Sequence, residues 1–295
     1  MPQMDGDVMR SGRFSIGALS ARPSSGGLLA APLIVYLLIF YAYPVLAMLE
    51  RSIYRGSWTA EVFVALVKDE VFWRVMQITA TISLIVTVAC LLLAYPVALF
   101  LARSSKSAAN LMIILVLIPF WTSILVRTYA WMVLLGRRGV INDFLLGAGL
   151  IERPLQLLNT RFAVCVAMVH VLLPFMVLPI YSTLRGLDWR LIRAAEGLGA
   201  PPLAVFRQVL LPLSLPGISA GCILVFTLAI GFYITPALVG GPGDLMISML
   251  IANQVNVLDW PQAAAMAVVL LAVVLVIFAG FTRIMGIEKI FQGQR

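Results

Sequence analysis

LDWRLIRAAEGLGAPPLAVFRQVLLPLSLPG, residues 187–217, is a polar island between two long apolar segments, and its reading decides the fold. It carries Asp188, Arg190, Arg193, Glu196 and Arg207. The local pattern predicts two short helices with a break between them. Asp188 suits an N-cap, because its carboxylate accepts from a free backbone N–H of the first turn. Trp189 to Leu198 consists of good helix formers and places Leu191, Ala194, Ala195 and Leu198 on one face. Gly199 stands where a helix closes on a left-handed residue, and Pro201-Pro202 suits the first turn of the next helix. Pro212 and Pro216, which lack an N–H, are expected to end that second helix before the chain turns apolar. Taken alone, the pattern is equally that of an ordinary connecting loop.

The composition says what surrounds the island. The 295 residues are 62% hydrophobic and only 12% charged, with a strongly positive mean hydropathy. A water-soluble domain of this size needs a far more charged surface, so the chain reads as an integral membrane protein. Its net charge of +8 is scattered along membrane edges instead of clustering, which argues against a nucleic-acid partner. Cys90, Cys165 and Cys222 fall in apolar runs without CxxC spacing and read as packing residues, not as a disulfide frame or metal site. The chain has no GxxxxGK followed by Ser or Thr. If ATP drives it, ATP and Mg are bound by another chain.

Six segments reach the roughly 20 apolar residues that a membrane span requires. They are Leu28–Leu49, Val75–Ala102, Leu111–Leu135, Phe162–Leu184, Pro216–Val239 and Ala263–Phe281. An all-α bundle over residues 28–283 is expected, between a polar Gly/Ser-rich tail, 1–27, and a short C-terminal tail, 284–295. Prolines at 44, 96, 119, 174, 179 and 236 imply kinks that neighbouring helices must accommodate. Trp73, Trp121, Trp131 and Trp260 sit near span ends, as interfacial anchors do. No internal repeat is visible, so an inverted-repeat carrier is not supported.

With the island placed in the cytoplasm, the inner segments hold twelve basic residues against five acids, and the outer loops eight against eight. The loop before the last span has no Lys or Arg at all. Both termini inside is the orientation this bias favours. Outside, Thr59–Arg74 alternates apolar and charged residues with a helical period and predicts one surface helix; Val140–Leu150 predicts another. Both read as scaffolding more than as solute site.

Within the spans, Arg127 is the only formal charge. Exposure to lipid is costly for such a group, so it either marks function or snorkels to the headgroups from near its span end. His170, mid-span, reads more simply as a hydrogen-bonding partner for a neighbouring helix than as a ligand. Gly240-Gly241-Pro242-Gly243 cannot continue a helix, and Pro236 loosens the one before it. That makes Phe232, Tyr233 and Thr235 candidates for a translocation path, with a plain helix stop as the alternative. Tyr129 and Trp131 are further aromatic candidates beside Arg127, and Asp244 is a candidate for meeting a docking protein or a cationic solute.

From Arg193, the run Arg193-Ala194-Ala195, three residues, Gly199, nine residues, Val209, one residue, Leu211-Pro212 resembles the EAA loop of ABC-importer permeases. LLLAYPVALFLAR (91–103), IPFWTSILVRTYAW (118–131), RGVINDFLL (138–146), LLPFMVLPIYSTL (172–184) and GFYITPALVGGPGDLMISMLI (231–251) are similar to its spermidine/putrescine branch, in that order and over nearly the whole chain after the N-tail. The resemblance implies a six-span permease bundle with a cytoplasmic coupling helix in loop 187–212. Asp188, Arg190, Arg193, Ala194, Ala195, Glu196, Gly199, Leu211 and Pro212 would then face an ATPase. Arg193 stands where the family has Glu, and Val209 where it has Ile. The charge reversal removes any assumed salt bridge there, with Glu196 one turn on as a replacement. Implied partners are a second permease of similar fold, two cytoplasmic ATPase subunits that bind ATP and Mg, and an extracytoplasmic solute-binding protein. The implied solute is a polyamine or a related amine, amino acid or opine-like molecule. A stand-alone secondary carrier or channel is the rival; it would normally use intramembrane carboxylates, and the spans have none. A membrane enzyme lacks any Ser/His/Asp or metal-ligand cluster.

Overall fold

The computed structural model describes residues 25–53 and 61–284, and among them there is no strand. The expectations for residues 1–24 and 285–295 lie outside the described residues. The chain divides into two compact units after Met48.

In the first unit, α1 (Ser25–Leu37) leads into a widened turn, Leu38–Ala42, and then into α2 (Tyr43–Ile53). Pro44 follows that turn by two residues. In a widened turn each carbonyl pairs with the N–H five residues on, so the carbonyl four before a proline is not left waiting for an absent donor. The expected span 28–49 is realised as a continuous helix.

The second unit takes in the last turn of α2, from Leu49, and continues with α3 (Glu61–Lys68) and α4 (Glu70–Arg103), whose 34 residues outrun a bilayer's hydrocarbon core. The single surface helix expected over 59–74 is therefore two. Asp69 interrupts it and caps α4, accepting from the N–H of Val71 at 2.8 Å. Next come α5 (Lys106–Trp121), α6 (Ile124–Leu135) and α7 (Val140–Gly147). The expected span 111–135 is not one rod: it breaks at Thr122-Ser123, where the chain bends by 93°. Pro119 withholds a donor there, and the Thr122 hydroxyl bonds the Pro119 carbonyl at 2.8 Å, which lets the helix end. The fully buried Asn142 fastens the α7 region by donating to the carbonyls of Gly136 and Leu155 and accepting from the N–H of Leu155.

α8 (Arg161–Arg185) is the central span. Beyond it lie α9 (Trp189–Gly197), α10 (Pro202–Val205), a second widened turn, Phe206–Leu210, and α11 (Leu211–Ile230). Residues 202–230 form one 29-residue helical rod. Pro212 and Pro216 do not end it, contrary to the expectation. Pro212 follows the widened turn by two residues, as Pro44 does. The rod stops at Ile230 instead, so the expected span 216–239 is split. α12 (Ile234–Val239), a tight turn Pro242–Asp244, α13 (Ile247–Asn256) and α14 (Trp260–Ile284) complete the order.

α4, α8 and α11 make the core. Ile82, Val86, Cys90, Ala94 and Ala98, four residues apart along α4, are all fully buried. This single ridge of shrinking side chains meets Ala163, Ala167, Met168, Leu172 and Met176 of α8. Glycine lets α11 approach closely: a Cβ on Gly217 would lie 2.7 Å from the Pro179 carbonyl and 2.6 Å from Oγ1 of Thr183. Val62, Leu66, Phe72 and Val75 pack separately with Ile247, Ala265 and Met266. The predicted surface helix is thus a brace between α4, α13 and α14.

Candidate functional site

Two places bear on function, and the first is the island. Asp188 caps α9, its carboxylate accepting from the N–H of Arg190 at 2.9 Å. Gly199 adopts φ +82°, and the N–H groups of Gly199 and Ala200 return to the carbonyls of Glu196 and Ala195. The break is therefore a left-handed helix closure that favours glycine. The expected apolar face is corrected. Ile192 is the buried residue of α9, with Trp189 and Ala195 half-buried beside it, whereas Leu191, Ala194 and Leu198 point outward. Leu198 is 89% exposed and Leu203, just past the break, 67%. The helix has an apolar stripe on either side, and only one is covered among the described residues.

Arg190, Arg193 and Glu196 are exposed, as is Pro212; Leu211 is half-buried. What holds the island to the bundle lies mostly outside the sequence pattern. The Arg103 guanidinium sits 5.3 Å from the Trp189 ring centroid. Tyr95 meets Phe206 edge-on at 5.7 Å and shares a hydrogen bond with the Ser214 hydroxyl at 3.1 Å. Val205 and Leu210 are buried. Arg103, Tyr95, Phe206 and Ser214 were not among the expected residues; a basic residue ending one span and a Trp beginning the island were the only signal for the first.

The second place is where α6, α8 and α12 converge. Trp131 donates its indole N–H to Nδ1 of His170 at 3.2 Å. One turn earlier on the same helix, Thr128 Oγ1 lies 3.1 Å from Thr235 Oγ1 of α12 and donates to the Ile124 carbonyl at 2.8 Å. Arg127, immediately before Thr128 in sequence, has its Nε shielded from solvent and without a hydrogen-bond partner. Arg127 as a whole is half-buried. Of the expected path residues, Trp131 meets His170, first read as a structural partner, and Thr235 meets Thr128; Arg127 adjoins Thr128 in sequence on the same helix.

The remaining path residues are elsewhere. Tyr129 and Tyr233 are exposed, on other faces of their elements. Phe232 is half-buried against the core, and its carbonyl receives the Ser248 hydroxyl at 2.6 Å. Asp244 is buried and committed, a correction to its expected role. One oxygen accepts from Arg161 Nε at 3.1 Å, the other from the N–H of Gly241 at 3.2 Å. This carboxylate staples the Gly-rich turn to the start of α8 and is not offered to a solute.

Residues 14–286 match the family described as "binding-protein-dependent transport system inner membrane component". The spermidine/putrescine transport system permease protein PotB of Escherichia coli (strain K12) is 40% identical over 203 residues, 68% of this chain and 74% of that protein. A crystallised bacterial ABC transporter involved in the import of the acidic polysaccharide alginate has a chain that superposes with TM-score 0.73 at 20% identity, covering 88% of this chain and 94% of its own. The same alginate transporter in complex with a pentasaccharide-bound periplasmic protein gives TM-score 0.71 at 19% identity, over 87% and 92% of the two chains.

Proposed function

The chain belongs to the family of binding-protein-dependent transport system inner membrane components, and from that premise we propose how it works as the permease subunit of an ATP-driven importer. It pairs with a second permease of similar fold, receives solute from an extracytoplasmic binding protein, and leans on two cytoplasmic ATPase subunits that bind ATP and Mg. Both termini lie in the cytoplasm with the island, in keeping with the basic bias of the inner segments. The solute is a polyamine or a related small amine, amino acid or opine-like molecule.

One observation carries the coupling reading. α9 is a capped helix whose inner stripe is held by Ile192 and Trp189 while its outer stripe, Leu191 to Leu198, continues into Leu203 with nothing among the described residues to cover it. Burying a leucine is worth about 1.5–3 kcal/mol, so such a stripe beside Arg190, Arg193 and Glu196 suits a firm but polar-rimmed contact. When ATP draws the ATPase pair together, α9 is carried as a rigid lever. Arg103–Trp189 and the rod 202–230 then pass the movement to α4 and α11.

The test is Leu198→Asp in the complete importer reconstituted in vesicles. ATP-driven uptake should fall at least tenfold, with the permease pair still assembled and the ATPases lost on purification. Undiminished uptake would refute the docking face. Solute movement by this chain alone, without ATP, would favour the carrier reading.

A further inference from the structure

Resting on the importer reading for its orientation, we propose that the corner where α4, α5 and α8 meet binds the phosphate of an anionic phospholipid of the cytoplasmic leaflet. A recess of about 150 Å³ lies there, walled by Lys106, Tyr181 and Arg185 together with Leu101, Ala102 and Ala109. Arg185 Nη1 donates to the Tyr181 hydroxyl at 2.8 Å, and its guanidinium carbon lies 5.7 Å from that ring's centroid, so the cation is held in place. Tyr181 is only 7% exposed. With its oxygen accepting, its hydroxyl proton is left to give, and no acceptor takes it among the described residues. Lys106, exposed, begins α5, whose first N–H groups add partial positive charge. Among the described residues neither Lys106 nor Arg185 pairs with a carboxylate. The other polar group of the wall, the Ser104 hydroxyl, is spent on the Phe100 carbonyl at 2.8 Å. The recess therefore offers donors and two positive charges with nothing to balance them.

Phosphate chemistry answers this, and the depth of the recess says which phosphate. Water occupies about 30 Å³ per molecule in the liquid, so a group of five heavy atoms has room. α5 turns apolar at Leu111, five residues past Lys106, or about 7.5 Å along the helix. From there its outward stripe, Leu111, Ile114, Leu115 and Ile118, is 49–61% exposed, as a face turned to acyl chains is. On α8, Leu178, two turns before Arg185, is exposed as well. A headgroup layer is roughly 5–7.5 Å deep on each side of the hydrocarbon, so the donors stand at the height of lipid phosphates. Basic pockets between spans on the cytoplasmic side suit such headgroups. An acidic peptide of another subunit would need no apolar belt so close beneath it.

The complete importer in neutral detergent is titrated with phosphatidylglycerol, and with phosphatidylcholine as the zwitterionic control, each carrying a fluorescent acyl chain. Phosphatidylglycerol should bind at least tenfold more tightly. Lys106→Gln combined with Arg185→Gln should abolish that preference, while Arg207→Gln, which removes an exposed charge from the polar island, should keep it. Equal binding of the two lipids overturns the proposal, as does a preference that Arg207→Gln reduces just as much. Displacement of the lipid by inorganic phosphate would make the site one for a free anion, and binding that appears only once the ATPases are removed would make it a protein contact; either overturns it. Should the double variant fail to assemble, Tyr181→Phe decides: the preference should fall at least threefold, and an unchanged one refutes the site. The titration involves neither ATP nor uptake, so its failure leaves the importer reading standing. Labelling of Ser107→Cys by a membrane-impermeant maleimide added outside intact cells would instead strike the orientation, and with it the leaflet named here.

Discussion

The guanidinium of Arg103, at the end of α4, lies over the ring of Trp189, at the start of α9, 5.3 Å from its centroid. The contact ties α4, the longest helix among the described residues, to the proposed lever α9. At an exposed site a cation–π contact is worth about 0.5–1 kcal/mol, too little to hold the fold but enough to keep a short helix in line. Trp189→Ala should therefore leave assembly intact and raise the ATP hydrolysed per solute imported, by about two- to fivefold if the contact's free energy is lost. Parallel assays of phosphate release and uptake check it; an unchanged ratio would show that force reaches α4 by another route.

Arg193 and Glu196 are both exposed on α9, one turn apart. If Glu196 stands in for a charge that Arg193 reverses, Ala in place of each should lower ATPase coupling unequally, with Glu196→Ala the more damaging. Raising salt should shrink the difference, because exposed charges are screened within about 10 Å at 0.1 M. Equal and negligible effects remove both residues from the contact.

Gly217→Val tests the α8–α11 seam. The added carbon meets a backbone carbonyl at 2.7 Å, which a side-chain rotation cannot relieve. Overpacking of this kind costs about 1–3 kcal/mol and should show as a lower unfolding temperature in detergent. Gly280→Ala on α14, where a Cβ meets nothing within 4 Å, is the control and should not lower that temperature, since Ala favours a helix interior over Gly.

Asp244→Asn removes the charge that Arg161 pairs with, while the Arg161 side chain, 45% exposed, can turn to solvent. A loss of about 1.5–3 kcal/mol is expected for the charged hydrogen bond, read as reduced thermal stability. At a permissive temperature the uptake of solute should keep its affinity. A raised KM with unaltered stability would return Asp244 to the solute path.

The island was legible because its signals are local. An Asp before a helix and a Gly after it act within one turn, and the structure has Asp188 and Gly199 doing so. The apolar, helical character of the chain was legible for the same reason, since hydropathy is summed over neighbours; among the described residues five helices are long and apolar enough to cross a membrane, or six if the bent pair is one span. The α9 faces were not: two apolar stripes flank the helix, and the choice between them is made by Arg103 and α4, far away in sequence. The break at Thr122-Ser123 was hidden because apolar residues continue on both sides of it. Pro212 misled for a related reason, as a widened turn lets a helix keep what an ordinary turn would lose. The pairing of Asp244 with Arg161 joins residues on different elements, and no local pattern foretells such a partner.

The widened turn Phe206–Leu210 also settles a matter of bearing. Along an α-helix each residue advances the azimuth by about 100°, so one surplus residue in a five-residue turn swings everything before it by about a quarter of a revolution. Leu203 owes its compass direction to that surplus. Deleting a single residue from the turn would rotate Leu203 and the proposed docking face by about a quarter of a revolution, and relatives that differ there by one residue would present unaltered chemistry in another direction.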